Sequence, residues 1–312
     1  MTVTVLSALV RPLVEHHLPE WVDARFFKSV DEMLAFAPEA EIGWFDLEHK
    51  APMLKAIRSA KQLKWLNSIY AGLDFLPFGD LRERGVIITH GAGINALTIA
   101  EYVVMGMLTI AKGYREVVRA QDRHEWLLDS PGKRELADSK ALLLGYGAIG
   151  QLIETRLKAF DVAVTKVRRS PGSDTLGPDQ WREKLGEFDW VILAVPATPE
   201  TDAMIGAAEL AAMKPNAVLL NIARGAVVDQ AALIDALRDK RIAAAFLDVT
   251  TPEPLSADSP LWTLPNAHVT MHLSGRAQDQ MYRRSAERFV TNLHRWGRGE
   301  PVEPRFDLDL GY

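Results

Sequence analysis

The stretch Ala141-Leu142-Leu143-Leu144-Gly145-Tyr146-Gly147-Ala148-Ile149-Gly150 decides how this chain folds. Its apolar start is a compact run that reads as a buried parallel strand, and the pattern over 151–160 is helical. The same spacing of glycines also occurs in plain surface turns. Here, however, strand, glycine turn and helix stand in the order that a dinucleotide-binding βαβ unit requires. In that unit Gly145 permits the tight turn, Gly147 lets the backbone approach a pyrophosphate, and Gly150 allows helix and strand to pack closely. The free N–H groups of the first helical turn, at Ala148 and Ile149, then face the phosphates.

The next strand candidate, 162–167, runs into Arg168-Arg169-Ser170. A cofactor without a 2′-phosphate usually meets a carboxylate about 20 residues past the glycine loop, accepting the ribose hydroxyls. Here the carboxylate is missing and guanidinium groups stand in its place, which favours NADP(H) over NAD(H). The expected contacts are Arg168 or Arg169 together with Ser170. A solvated loop accounts for one of the two arginines.

Working outward, the alternation continues on both sides. Downstream lie strand candidates at 190–195, 217–222, 242–248 and 268–271, each separated by a helix-length segment; upstream lie 3–6, 42–45, 65–69 and 86–89, with a helical stretch at 51–59. Between the two sets, 95–123 reads as one long helix, apolar at Ile99, Val103, Met107 and Ile110 and interrupted only by Gly106 and Gly113. A last helix over 275–296 is placed to return the chain to the first lobe. A chain of 312 residues also exceeds the roughly 250–300 at which single cores stop growing. The expectation is therefore an α/β protein of two Rossmann-like lobes with parallel sheets and the active site in the cleft between them. Residues 1–94 with 276–312 form the substrate domain, and 95–275 the dinucleotide domain.

Composition narrows the function. The hydrophobic share of 48% and charged share of 25% are those of an ordinary globular protein. With 36 Lys and Arg against 41 Asp and Glu, the net charge of -5 argues against nucleic acid or an anionic membrane surface as partner. The N-terminus shows no basic leader with a long apolar run, and no segment approaches the roughly 20 apolar residues of a membrane span, so a cytoplasmic location is expected. The absence of cysteine excludes disulfides and thiolate chemistry. His268 and His272, on one face of the last strand candidate, would stand roughly 13 Å apart, too far to share a metal.

Three polar groups follow successive strand candidates: Arg224 after 219–223, Glu253 after 246–249 and His272 after 268–271. Strand exits are where an open parallel sheet presents its ligand crevice. Reduction of a carbonyl needs a cation for the substrate carboxylate, a general acid for the developing alkoxide, and a group that tunes the acid. Arg, His and Glu match these jobs. Each alone also has a plain structural role open to it, as a helix-end arginine, a solvated acid or a buried histidine; their joint placement favours chemistry. Trp44, Tyr70 and Trp262 are candidate pocket liners, although large aromatics more often serve cores.

With these motifs in hand, the sequence resembles the D-isomer-specific 2-hydroxyacid dehydrogenases over nearly its whole length, most closely the short glyoxylate/hydroxypyruvate reductases. The resemblance is carried by Ala71-Gly72-Leu73-Asp74, Thr98-Ile99-Ala100-Glu101, the glycine loop, and Val195-Pro196-Ala197-Thr198-Pro199-Glu200-Thr201. It continues in Asn221-Ile222-Ala223-Arg224-Gly225, Leu247-Asp248-Val249, Pro252-Glu253-Pro254-Leu255 and His272. It implies NAD(P)H-dependent reduction of a small 2-keto acid to the D-2-hydroxy acid. Arg224 would clamp carboxylate and keto oxygen, His272 would act as acid/base, and Glu253 would pair with it. The backbone N–H groups of Ala71 and Gly72 would hold the carboxylate. Asp248 would lie near the nicotinamide carboxamide, with Thr98, Val195, Pro196, Ile222 and Ala223 lining the cofactor site. A homodimer through the long helix, Trp126 and the loop after it is implied as well.

The sequence departs from the family at Met271, where a proline commonly precedes the histidine, and at Thr250-Thr251, which replace an aromatic-acidic pair. Both bear on pocket shape rather than chemistry. A short-chain alcohol dehydrogenase is excluded, because none of the six tyrosines has a lysine four positions on. A non-enzymatic dinucleotide sensor or corepressor on the same fold is the remaining alternative.

Overall fold

The computed structural model describes residues 1–47, 49–73, 75–276 and 278–308. The chain divides into two compact units, one of Met1–Asn95 with Ala277–Tyr312 and one of Ala96–Arg276.

The first unit contains β1 (Thr2–Ser7), α1 (Arg11–Val14), β2 (Val22–Phe27), α2 (Val30–Phe36), β3 (Ile42–Trp44), α3 (Lys50–Ser59), β4 (Trp65–Asn67), α4 (Phe78–Glu83), β5 (Ile87–Thr89) and the long helix Gln278–Gly297. Its five strands are ordered β2-β1-β3-β4-β5, every neighbouring pair parallel. Because side chains alternate along a strand, Val5, Leu66 and Ile88 join Met53 and Ile57 in one cluster. Leu6, Trp44, Trp65 and Ile87 join Phe289 and Leu293 of the long helix in another. Covering both faces of a parallel sheet is the usual solution for such runs. The Trp65 ring lies between Phe289 and Trp296, with centroids at 5.3 and 5.6 Å.

The strand β2 was not among the sequence expectations. Its apolar residues Val22, Ala24 and Phe26 pack on one face, whereas Asp23 and Arg25 take the other, Arg25 pairing with Asp23 at 3.3 Å and Glu39 at 3.0 Å. This is the half-polar pattern of an edge strand, unlike the continuous apolar runs of the central ones.

The second unit contains α5 (Ala96–Ala111), α6 (Tyr114–Asp122), β6 (Lys140–Leu144), α7 (Ala148–Lys158), β7 (Ala163–Val167), β8 (Trp190–Leu193), α8 (Ala207–Ala212), β9 (Val218–Asn221), α9 (Gln230–Arg238), β10 (Ala244–Leu247) and β11 (Ala267–Val269). Six parallel strands are ordered β11-β10-β9-β8-β6-β7. Leu142, Leu144, Val191, Leu193, Leu219 and Leu247 face one layer, and Leu143, Trp190, Ile192, Leu220 and Phe246 face the other with Val103 and Met107 of α5. The chain leaves β6 for β7 on one side and crosses to β8 on the other, so the strand order reverses at β6. Ligands of open α/β sheets bind outside the carboxyl ends of strands at such a switch.

The structure differs from the sequence expectations at two places. The single helix over 95–123 is two helices whose axes bend by 69°. Gly113 lies at the break with φ +60, and a Cβ there would meet the backbone of Pro131 and Gly132 at 2.8 Å. The last strand stops at Val269, because Met271 and His272 turn into the left-handed region with φ +55 and +56. His268 and His272 therefore do not share a strand face. No single helix among the described residues is long and apolar enough to cross a membrane.

Candidate active site

The three polar groups read from the sequence belong to adjacent loops. Asn221, Leu247 and Val269 lie in register across β9, β10 and β11. Arg224 and His272 each come three residues past this line, and Glu253 six. Neighbouring strands are about 4.8 Å apart, so all three groups spring from roughly 10 Å of sheet edge.

His272 Nδ1 and Glu253 Oε2 are 2.8 Å apart, and the other Glu253 oxygen accepts from the Thr250 amide at 3.1 Å. The carboxylate thus fixes the imidazole through Nδ1, which leaves Nε2 as the nitrogen able to exchange a proton with a ligand.

The turn that carries His272 is held by Asp248, which is 2% exposed. Its carboxylate accepts from the Thr270 hydroxyl at 2.8 Å, the Leu273 amide at 2.9 Å, the Ser274 amide at 3.2 Å and the Ser274 hydroxyl at 2.5 Å. The His272 amide also donates to the Asp248 carbonyl at 2.5 Å. Asp248, singled out as a cofactor residue, spends both carboxylate oxygens on this turn. Ser274 was not singled out.

Asn221 shapes the Arg224 turn. Its side-chain NH2 donates to the Arg224 carbonyl at 2.9 Å and its oxygen accepts from the Ala223 amide at 3.0 Å. A Cβ on Gly225 would fall 2.0 Å from the Thr250 carbonyl oxygen. The Arg224 turn and the Thr250 to Glu253 turn are thereby pressed backbone to backbone. Gln230 bonds both the Thr251 carbonyl and amide, at 2.6 and 2.9 Å. Asn221 and Gly225 stand in one sequence motif, but these roles depend on the register of β9 against β10, which the motif alone does not carry.

The cofactor candidates also sit at strand exits of this sheet. Gly145 follows β6 with φ +100, and a Cβ there would meet the Ala194 carbonyl oxygen at 2.4 Å. By contrast, nothing lies within 4 Å of a Cβ placed on Gly147, at the start of α7, and no side chain caps that helix. A cradle that only glycine leaves open, before uncapped amides at Ala148 and Ile149, fits a dinucleotide pyrophosphate. Gly150 packs against the Gly145 carbonyl, which a Cβ would meet at 2.5 Å. Tyr146 donates to Glu154, and Lys166 meets Glu154 at 3.1 Å. Burial would raise the Glu154 carboxyl, but hydrogen bonds from Tyr146, Lys158 and Lys166 pull it down to about 2.

Arg168, Arg169 and Ser170 are exposed just past β7. Val195 and Pro196 follow β8, buried Ile222 and Ala223 follow β9, and Thr98 lies in the first turn of α5.

Ala71 and Gly72 lie in the first unit, past β4. The Tyr70 carbonyl accepts from the Gly91 amide at 2.8 Å, and the Ala71 carbonyl lies 3.0 Å from His90 Nδ1. Among the described residues the N–H groups of Ala71 and Gly72 have no acceptor. Two such amides in succession suit a carboxylate.

The aromatic candidates divide. Trp44 is a core residue against Phe289, at 5.1 Å, rather than a pocket liner. The Tyr70 hydroxyl donates to the Leu47 carbonyl at 2.8 Å. Trp262 lines a cavity of about 330 Å³ beside the edge strand β11, with Met105, Arg115, Phe246 and His268. Burial, then Arg115 and Arg119, bring the His268 imidazole down to about 4. Among the described residues no group of three or more His, Cys, Asp or Glu is placed to hold a metal.

Residues 104–274 match the D-isomer specific 2-hydroxyacid dehydrogenase, NAD binding domain. The chain belongs to the D-isomer-specific 2-hydroxyacid dehydrogenase family. This is a family of oxidoreductases acting on CH–OH donors. The chain is 33% identical over 236 residues to glyoxylate/hydroxypyruvate reductase B of Pectobacterium atrosepticum, covering 72% of this chain and 73% of that one. It is 30% identical over 255 residues to D-3-phosphoglycerate dehydrogenase of Methanocaldococcus jannaschii, covering 79% of this chain but 48% of that protein. It thus spans about half the length of that relative. Among solved structures, a family protein from Aeromonas salmonicida subsp. salmonicida superposes with a TM-score of 0.87 at 28% identity, covering 99% of both chains. A dehydrogenase of the family from Xanthobacter autotrophicus, solved with NADPH and MES, gives 0.80 at 28% identity and covers 100% of this chain and 99% of that one.

Proposed function

We propose that this dehydrogenase reduces a small 2-keto acid of the glyoxylate or hydroxypyruvate kind to the D-2-hydroxy acid, with NADPH preferred to NADH. The observation that carries the reading is the Glu253–His272 pair at 2.8 Å, held on a turn beside the one that bears Arg224. When bound, the dihydronicotinamide supplies the hydride that reaches the keto carbon. His272 Nε2 gives the proton that the carbonyl oxygen takes up, and Glu253 holds the ring through Nδ1. Arg224 holds the substrate carboxylate and meets the charge developing on oxygen. In this reading the amides of Ala71 and Gly72 are also donors to a substrate carboxylate. Thr98, Ala148, Ile149, Val195, Pro196, Ile222, Ala223 and Asp248 bound the dinucleotide site, and Arg168 or Arg169 with Ser170 holds the 2′-phosphate.

The glyoxylate/hydroxypyruvate reductase B similarity supports the substrate class, and the missing carboxylate after β7 supports the cofactor preference. A homodimer and a cytoplasmic location belong to the same reading; Trp126 and Leu128, 90% and 98% exposed, are the apolar surface that supports self-association.

The test follows absorbance of NADPH, and separately NADH, with glyoxylate, hydroxypyruvate, pyruvate and phenylpyruvate, and the reverse reaction on 3-phosphoglycerate. Faster oxidation of NADPH with glyoxylate or hydroxypyruvate is expected. Turnover of 3-phosphoglycerate alone would reassign the substrate, and tight dinucleotide binding without turnover on any acid would favour the sensor.

A further inference from the structure

At the end of β3 the carboxylate of Asp46 gathers three donors from two strand exits. One oxygen accepts from the Trp44 indole at 2.9 Å and the Ile69 amide at 2.6 Å, and the other from the Ser68 hydroxyl at 2.9 Å. The Ser68 hydroxyl accepts in turn from the Tyr70 amide at 3.1 Å. The next two residues are Ala71 and Gly72, whose N–H groups have no acceptor among the described residues. Asp46 bonds to neither, yet it fixes the chain that leads into both.

Gly91 closes the far side of the same turn, since a Cβ there would fall 1.8 Å from the Ile69 carbonyl oxygen. Burial pushes the Asp46 carboxyl up to about 6, against the pull of its bonds to Ile69, Ser68 and Trp44. What a carboxylate offers here over an apolar residue of similar size is acceptor capacity for three converging donors.

We propose that Asp46 is a positioning residue for the substrate carboxylate: by holding Ser68 and Ile69 it presets the turn in which Ala71 and Gly72 present their amides as one pair. This rests on the reading above that those amides take the carboxylate of a 2-keto acid. The carboxylate is unchanged between ground and transition state, so loss of the preset turn weakens binding more than it slows the chemical step.

The test compares the wild-type chain with Asp46→Leu, Asp46→Asn and Ser68→Ala. It measures keto-acid KM and kcat at saturating NADPH, the NADPH dissociation constant, and hydrogen exchange of the 68–72 amides. Asp46→Leu is expected to raise the keto-acid KM about tenfold or more, with kcat within about threefold, NADPH affinity unchanged and faster amide exchange. Asp46→Asn keeps an oxygen for Trp44 and Ile69 and offers an NH2 to Ser68, so it recovers most of the KM. Ser68→Ala removes one arm, moves KM in the same direction by a smaller factor, and decides the matter if the leucine variant does not fold.

A wild-type KM and wild-type protection in Asp46→Leu would overturn the inference. So would an asparagine variant as impaired as the leucine one, or a fall in kcat alone that tracks lost folded protein. If the wild-type enzyme reduces no keto acid, the functional reading fails by itself, and the exchange rates still decide whether Asp46 holds the turn.

Discussion

The Ser274 hydroxyl and the Asp248 carboxylate meet at 2.5 Å inside the turn that carries His272. Met271 and His272 there hold left-handed backbone, which costs an L residue about 1–2 kcal/mol and persists only where the surroundings enforce it. Asp248, with its bonds to Thr270, Leu273 and Ser274, is that enforcement.

Ser274→Ala should therefore leave a buried acceptor underused and loosen the turn. We expect a loss of about 1–3 kcal/mol in stability and about tenfold in kcat/KM. Chemical denaturation and steady-state kinetics measure the two. Wild-type kinetics in a destabilised variant would show that the turn does not set the imidazole.

Glu253→Gln preserves shape and keeps an oxygen for the Thr250 amide, but removes the negative charge beside His272. The reductive kcat/KM should fall about 10–100-fold while the NADPH dissociation constant stays put. An unchanged rate would remove Glu253 from the chemistry.

Two glycines of one loop should behave in opposite ways. Gly147→Ala meets no neighbour within 4 Å, so its melting temperature should match wild type while dinucleotide affinity falls about tenfold or more. Gly145→Ala combines φ +100 with a clash against the Ala194 carbonyl and should destabilise the second unit itself. Equal dinucleotide affinity in Gly147→Ala would move the pyrophosphate elsewhere.

Replacing Arg168 and Arg169 together by alanine should weaken NADPH about 10–100-fold and NADH by no more than about threefold, because the 2′-phosphate loses its charged partners. Titration by nucleotide fluorescence measures both. A parallel loss for the two cofactors would mean the pair does not read the phosphate.

Stability should respond to pH through two opposed groups. His268 is held down to about 4 from 6.5, so its contribution is full above pH 6.5 and is lost as pH falls through that window. Asp46 is held up at about 6 from 3.8, so its contribution is full below 3.8 and is lost as pH rises to 6. Replacing His268 by asparagine should make the protein relatively more stable at pH 4.5 than at pH 7, and Asp46→Asn should do the reverse. The groups lie in different units, so separate melting transitions, if resolved, assign each effect. Shifts of the same sign would refute both assignments.

How far the site was legible depended on whether its signal was local. The strand, Gly145, Gly147 and Gly150 follow one another along the chain, as do the strands with their polar exits at Arg224, Glu253 and His272. Asp46 and the Asp248–Ser274 contact were not legible in this way, since each depends on which strand exits become neighbours. The break at Gly113 was invisible because glycine tolerates both helix and left-handed turn, and Pro131 and Gly132 decide between them from a distance. The edge strand β2 was hidden by its charges, which lie on a half-buried face of the strand rather than in a loop.

The first unit is assembled from both ends of the chain, and that orders events on the ribosome. Residues 96–276 leave as one uninterrupted stretch and can complete their six-stranded sheet without waiting. The five strands of the first unit emerge earlier, yet the face bearing Leu6, Trp44 and Trp65 lacks Phe289 and Leu293 until the helix Gln278–Gly297 has been made. For most of synthesis two tryptophans therefore stand without their covering layer. Of the two units, the one whose strands are made earlier receives its covering helix later.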